Sequence, residues 1–175
     1  NNGRCIVTAM ANFTSKATCD QSVPTRLEAV KFLLHFLGDI AQPLHTTANE
    51  KGGNGDICKW GQRKTNLHAI WDTNMVVANI NGDFAGYLSS LAKDITQGKY
   101  ADQTEGWKSC LVNKPIDGLN DCVIEWANEG NQFNCNNVFP AYESAKSSQN
   151  LDMSQSYYKD NAAYVNLFIA RAAVR

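Results

Sequence analysis

A histidine and an aspartate four residues apart can reach one point in space when the backbone is helical, because positions i and i+4 stack on one face a turn apart. This chain carries that spacing twice, in His35-Phe-Leu-Gly-Asp39 and in His68-Ala-Ile-Trp-Asp72. His45, the remaining histidine, ends Gln42-Pro-Leu-His45 between them, so every imidazole lies within residues 35–68. One such pair is more often a hydrogen-bonded surface pair than a metal clip. Two pairs together with the third histidine point to a metal site carried on helices.

The first pair lies in Phe32-Leu-Leu-His-Phe-Leu-Gly-Asp-Ile40, where His35 and Asp39 are the polar side chains of an otherwise apolar run. The segment is expected to be buried. A buried carboxylate costs several kcal/mol unless it is paired or coordinated, and no Lys or Arg stands beside it. Gly38 gives up roughly 1 kcal/mol of helix propensity, as suits a place where another backbone or an ion comes close. Imidazole nitrogens with carboxylate oxygens are ordinary zinc ligands, and catalytic zinc keeps three protein ligands and one open position. His45, His68 and Asp72 make such a set, whereas His35 and Asp39 need further ligands.

A length of 175 residues suits one domain with one good core. Residues are 43% hydrophobic and 19% charged, and no apolar run is long enough to span a bilayer, so no membrane partner is expected. The formal net charge is −1 with Lys and Arg dispersed, which excludes a basic stripe for duplex nucleic acid. Any attraction for an anionic substrate must come from bound metal ions. Six cysteines without a Cys-x-x-Cys pair favour disulfides over zinc thiolates. With the sequon Asn12-Phe-Thr14 and a start on Asn1-Asn-Gly, they suggest a secreted glycoprotein. Cys110 and Cys122 flank a Pro-Ile-Asp-Gly-Leu-Asn loop and could pair.

Helical signals dominate, which predicts an all-α single domain with few or no short strands. Thr25-Arg-Leu-Glu28 reads as a capping box opening a helix that packs through Leu27, Val30, Leu34 and Leu37 and ends at Pro43. Lys51-Gly-Gly-Asn-Gly-Asp56 is a Gly-rich loop between the clips and has no P-loop ending, and Cys58-Lys-Trp-Gly61 could form a short hairpin. The second clip opens a helix near Thr65 or Asn66. Further helices are expected over Phe84, Tyr87, Leu88, Leu91 and Ile95 with a stop at Gly98; over Ile116, Leu119, Val123, Trp126 and Ala127; and from about Tyr157 to Val174, their aromatics facing the core.

The ordered set Phe-Leu-Leu-His35-Phe-Leu-Gly-Asp39-Ile-Ala-Gln-Pro-Leu-His45, Gly52-Gly-Asn54 and Asn66-Leu-His68-Ala-Ile-Trp-Asp72-Thr closely resembles the signature of the zinc-dependent single-strand nucleases and 3'-nucleotidases of fungi and plants. Bacterial zinc phospholipases C are their distant structural cousins. The resemblance covers the whole chain and is strongest between Phe32 and Thr73. It implies a multi-helical, phospholipase C/nuclease-like domain with three zinc ions in a cleft. His35 would bind one zinc of a close pair, Asp39 would bridge that pair beside the nucleophilic water, and His45, His68 and Asp72 would hold the third. Asn54 would help bind the nucleobase.

Single-stranded DNA and RNA and 3'-nucleotides are the implied substrates, hydrolysed to 5'-phosphate products by a metal-activated water attacking opposite the leaving 3' oxygen. The family's opening segment, a tryptophan followed by a histidine, an aspartate and another histidine that complete the zinc pair, is absent from the sequence. The resemblance therefore implies a nicked enzyme whose N-terminal chain is disulfide-linked, with Cys5 and Cys135 where the family's cysteines pair with upstream ones. Asn74 also departs from the family, since some relatives carry a stacking aromatic there. Two alternatives are a zinc phospholipase C and a non-catalytic, metal-stabilised fragment.

Overall fold

The computed structural model describes residues 5–113 and 119–175. In chain order its longer elements are α1 (Ile6–Lys16), α2 (Val23–Ala41), a hairpin of β1 (Ile57–Trp60) and β2 (Arg63–Asn66), α3 (Leu67–Ala69), α4 (Met75–Ile80), α5 (Phe84–Thr96), α6 (Thr104–Asn113), α7 (Leu119–Phe133), α8 (Phe139–Ser147) and α9 (Ser156–Val174). The architecture is thus mostly helical, with one small antiparallel hairpin among the described residues. A wider π-helical segment, Ile70–Asn74, joins α3 to α4, and another, Asn134–Val138, joins α7 to α8.

α2 begins three residues earlier than the Thr25 cap expected from sequence. Ser22 caps it, accepting from the Thr25 amide at 3.4 Å, and Pro24 sits in the first turn, where its missing N–H costs nothing. The expected packing stripe is also corrected. Leu27, Val30 and Leu34 are exposed, Ala29 is buried, Leu33, Phe36, Leu37 and Ile40 join a core with α1 and α7, and α2 also meets α9. Met10, Val123, Trp126 and the Cys110–Cys122 disulfide complete that core. The helix is apolar on nearly every side, so hydrophobic periodicity alone did not single out the buried face.

A second core lies beneath the second clip. Leu44, Leu67, Ile70, Trp71, Met75, Val138, Tyr142, Met153, Tyr157, Val165 and Phe168 are all buried there. Trp71 donates its indole N–H to the Tyr157 hydroxyl at 3.0 Å, joining the second clip to α9. A third cluster gathers Leu91, Tyr100, Trp107 and Ala170. Phe84 of α5 is exposed, contrary to its expected place in the core, as is Leu88, because α5 turns its Tyr87, Leu91 and Ile95 side inward. Ile116 lies outside the described residues.

The hairpin pairs Ile57 with Asn66 and Trp60 with Arg63. It is tied to the start of the C-terminal region by Lys59, whose amide donates to Leu151 and whose carbonyl accepts from Met153. Asn66 ends β2 and also caps α3, its Oδ1 accepting from the Ala69 amide at 2.8 Å. The strand thereby hands the chain directly to the helix that begins with Leu67-His68.

Candidate metal centre

α2 stops at Ala41 because Pro43 cannot continue it. Gln42 is extended, and its side-chain oxygen accepts from the Leu44 amide, capping a one-turn 3₁₀ helix, Pro43–Thr46. This turn carries His45 back over the end of α2, where its Nδ1 donates to the Asp39 carbonyl at 2.9 Å. His68 is fixed in the same way, its Nδ1 donating to the Gly52 carbonyl at 2.7 Å.

Gly52 reaches that position through an unusual backbone run. Glu50, Lys51, Gly52 and Gly53 all have positive φ, between 45° and 79°. Each non-glycine residue in that region costs about 1–2 kcal/mol. At Gly52 a Cβ would stand 2.8 Å from the Leu44 carbonyl oxygen, so only glycine fits. The Gly-rich loop thus orients an imidazole, a role that its composition did not reveal.

With both Nδ1 atoms committed as donors, the Nε2 atoms face Asp72. His45 Nε2 lies 3.3 Å from Asp72 Oδ1, and His68 Nε2 lies 3.0 Å from Asp72 Oδ2. A neutral imidazole that donates from Nδ1 turns a lone pair at Nε2, which would repel the carboxylate. A proton or a metal ion between them resolves the conflict. Donors at about 2.0–2.2 Å from a tetrahedral zinc lie roughly 3.3 Å apart. One ligand atom from each of His45, His68 and Asp72 falls within 4.8 Å of the others, and this is the one such set of three or more His, Cys, Asp or Glu among the described residues. These three residues could hold a metal ion.

Without a metal, the imidazole and the carboxylate favour opposite charges. Burial pushes the Asp72 carboxyl up, but hydrogen bonds from His45 and Gln42 and the charge of the two histidines outweigh it, bringing it down to about 2. Burial likewise disfavours a charged His45, but Asp72 and Asp39 hold its proton above the usual imidazole range. The sequence motif alone assigns Gln42 no role. Its Nε2 donates to Asp72 Oδ1 at 2.9 Å, so one side chain both caps the His45 turn and steadies the carboxylate. Such outer partners fix the geometry of metal ligands.

His35 and Asp39 also meet, with Nε2 3.2 Å from Oδ2. The expectation that they are buried is corrected: the His35 side chain is 67% exposed and that of Asp39 33%. The apolar face beside them is uncovered in this chain, so water solvates them. Asp39 Oδ1 lies 3.7 Å from His45 Nδ1, which places this carboxylate between the first clip and the trio. The close approach expected at Gly38 is corrected: among the described residues outside its own helix, a Cβ there would find no atom within 4 Å.

A cavity of about 240 Å³ opens beside both groups, walled by Asp39, Gln42, His45 and Asp72 on one side and by Val165, Phe168 and Ile169 of α9 on the other. Asn54 is exposed at the end of the left-handed run, its amide donating to the Lys51 carbonyl at 2.9 Å. Asn12 is exposed on α1 and shares a surface cleft with Asp39. Cys110 and Cys122 are bonded, as expected from their spacing. Cys5 and Cys135 are exposed and carry no disulfide among the described residues, as is Cys19, whereas Cys58 is buried.

A family profile described as S1/P1 Nuclease matches residues 1–175. The chain is 33% identical to Nuclease PA3 of Penicillium sp over 178 residues, which cover 98% of this chain and 63% of that protein. It is 31% identical to Nuclease S1 of Aspergillus oryzae over 175 residues, covering 98% and 59%. It is 37% identical to Endonuclease 2 of Arabidopsis thaliana over 144 residues, covering 76% and 47%. The chain therefore spans less than two thirds of the length of these relatives.

Proposed function

Because the chain belongs to the S1/P1 nuclease family, we propose that it carries the metal-holding part of a zinc-dependent nuclease that hydrolyses single-stranded DNA and RNA to 5'-phosphate products and also acts on 3'-nucleotides. The observation that carries this reading is the trio: His45 and His68, each locked through Nδ1, present Nε2 with Asp72 to one point. Two imidazole nitrogens and one carboxylate oxygen with a position to spare suit catalytic zinc. When bound, zinc supplies Lewis acidity and a nucleophilic water at neutral pH.

The chain's own residues then divide the remaining work. His45, His68 and Asp72 are the proposed ligands of one ion, and Gln42 holds Asp72 in place. Asp39, which faces both His35 and His45, would serve as a ligand shared between two ions and would stand beside the reacting water. Asn54 would turn its amide from Lys51 to a nucleobase. A base must leave its stack to reach such a group, which favours single strands.

Three zinc ions need more ligands than these five residues offer. A further polypeptide segment, linked through Cys5 and Cys135, is proposed to complete His35 and Asp39. The two-ligand character of that pair supports this, as do Val23, Leu27, Val30 and Leu34, an exposed apolar row on successive turns of α2. Secretion and glycosylation at Asn12 belong to the same reading and are supported by the Cys110–Cys122 disulfide and the exposure of Asn12.

The test is hydrolysis of denatured DNA, RNA, duplex DNA and phosphatidylcholine by the full protein, before and after zinc removal by dipicolinate. Zinc-dependent cleavage of the two single-stranded substrates is expected. Cleavage of the phospholipid alone would reassign the protein as a phospholipase, and no hydrolysis by the zinc-loaded protein would make it a metal-stabilised structural protein.

A further inference from the structure

The turn that carries His45 rests on a part of the chain far from it in sequence. Asn134 is fully buried at the point where α7 passes into the π-helical segment Asn134–Val138. Its Nδ2 donates to the Pro43 carbonyl at 2.6 Å, and the same carbonyl accepts from Thr46 Oγ1 at 2.7 Å. Its Oδ1 is buried with no hydrogen-bond partner among the described residues. A buried amide oxygen left unpaired costs about 1–3 kcal/mol, so an apolar residue would suit this position better if packing were its purpose. Among the described residues the side chain's hydrogen bond is to the His45 turn.

Gly130, four residues earlier, faces the same turn. A Cβ there would stand 2.9 Å from Thr46 Oγ1 and 3.5 Å from Pro43 Cα. The helix surface therefore has a flat place where the turn lies, with a donor beside it that grips the first carbonyl of the turn. π-Helical segments redirect side chains and recur at functional sites. This one begins at the residue that grips the turn.

We infer that Asn134 and Gly130 are positioning residues for metal binding: together they form a socket that sets the Pro43–Thr46 turn and so aims His45 Nε2 toward His68 and Asp72. The inference rests on the reading of the trio as a zinc site. Loss of an outer-shell partner typically costs 10–100-fold in metal affinity, and the socket acts one step further out, through the backbone of the turn.

The test measures zinc affinity of the full protein by chelator competition, with His45→Ala marking the ion held by the trio, and the melting temperature of the metal-free protein. Asn134→Leu and Gly130→Ala are compared with Val123→Ala, a core truncation away from the turn. The socket variants are expected to weaken that ion about tenfold, while Val123→Ala lowers the melting temperature and leaves the affinity within about twofold. Unchanged affinity in the socket variants, or affinity that falls in step with melting temperature across all three, overturns the inference. Should Asn134→Leu not fold, Gly130→Ala decides. If His45→Ala binds as much zinc as the unaltered protein, the reading of the trio itself fails and the socket has nothing to position.

Discussion

The Nδ1 of His68 donates to the carbonyl oxygen of Gly52 at 2.7 Å, across a loop whose backbone is left-handed at four successive residues. That bond decides which imidazole nitrogen is left for a metal. The cost of holding Glu50 and Lys51 in a disfavoured region is thus offset where the loop meets the proposed ligand.

Gly52→Ala should therefore be damaging out of proportion to its size. The added methyl meets the Leu44 carbonyl at 2.8 Å and keeps a positive φ that alanine disfavours. A loss of roughly 1–3 kcal/mol is expected by chemical denaturation, together with weaker zinc binding. Stability and zinc affinity both equal to those of the unaltered protein would show that the loop does not orient His68.

Gln42→Ala removes the Nε2 contact to Asp72 and the cap of the His45 turn in one step. Zinc affinity should fall by about 10–100-fold. His45→Ala and Asp72→Ala, which delete proposed ligands, should each leave the purified protein one zinc short and remove most turnover. Elemental analysis after dialysis, paired with hydrolysis of denatured DNA, checks the three variants together.

The metal-free and zinc-loaded proteins should respond to pH in opposite directions. In the metal-free protein the raised His45 makes a charged pair with Asp72, so its contribution is full below the ordinary imidazole pKa and fades as pH rises through the raised value. The depressed Asp72 contributes above the ordinary carboxylate range, and that share is lost only as pH falls toward about 2. Zinc needs neutral imidazoles and gains as the proton leaves. The rise in melting temperature on adding zinc should therefore be larger at about pH 8 than at about pH 5.5. An equal or smaller rise at the higher pH would remove His45 from the ligand set.

Cys58 and Cys19 should differ sharply toward iodoacetamide at about pH 8. Burial, with help from Asp56, pushes the Cys58 thiol up to about 12, and its side chain is 1% exposed, whereas Cys19 is exposed. Peptide mass mapping should find Cys19 labelled in the native protein and Cys58 labelled only after unfolding in urea. Rapid labelling of Cys58 in the native state would mean that the hairpin opens readily.

The two sides of α2 should tolerate substitution very differently. Ile40→Ala, in the core with Met10 and Trp126, should cost about 2–5 kcal/mol. Leu34→Gln, on the exposed row, should change the stability of this chain by no more than about 0.5 kcal/mol. Urea denaturation of both variants tests the corrected packing face. A cost above 2 kcal/mol for Leu34→Gln in the isolated chain would restore the face first expected from sequence.

The helical class, the two His-x-x-x-Asp pairs and the grouping of His45 with His68 and Asp72 were legible in the residues alone. These are local or compositional properties: a four-residue spacing works only on a helix, proline stops a helix, and three histidines close together are few enough to be read as a set. The Cys110–Cys122 pairing was open to the same kind of reading. Tertiary structure decided which face of α2 is buried, because Leu27-Val30-Leu34 and Ala29-Leu33-Phe36-Ile40 are both regular apolar rows, and the positions of α1, α7 and α9 distinguish them. It also exposed His35 and Asp39, gave Gln42 and Gly52 their work, and brought Asn134 under a turn 91 residues away. Spacing along a helix can place two ligands together, but the bonds that hold them in one orientation come from backbone carbonyls of other segments, and those meet the ligands only once the chain has folded.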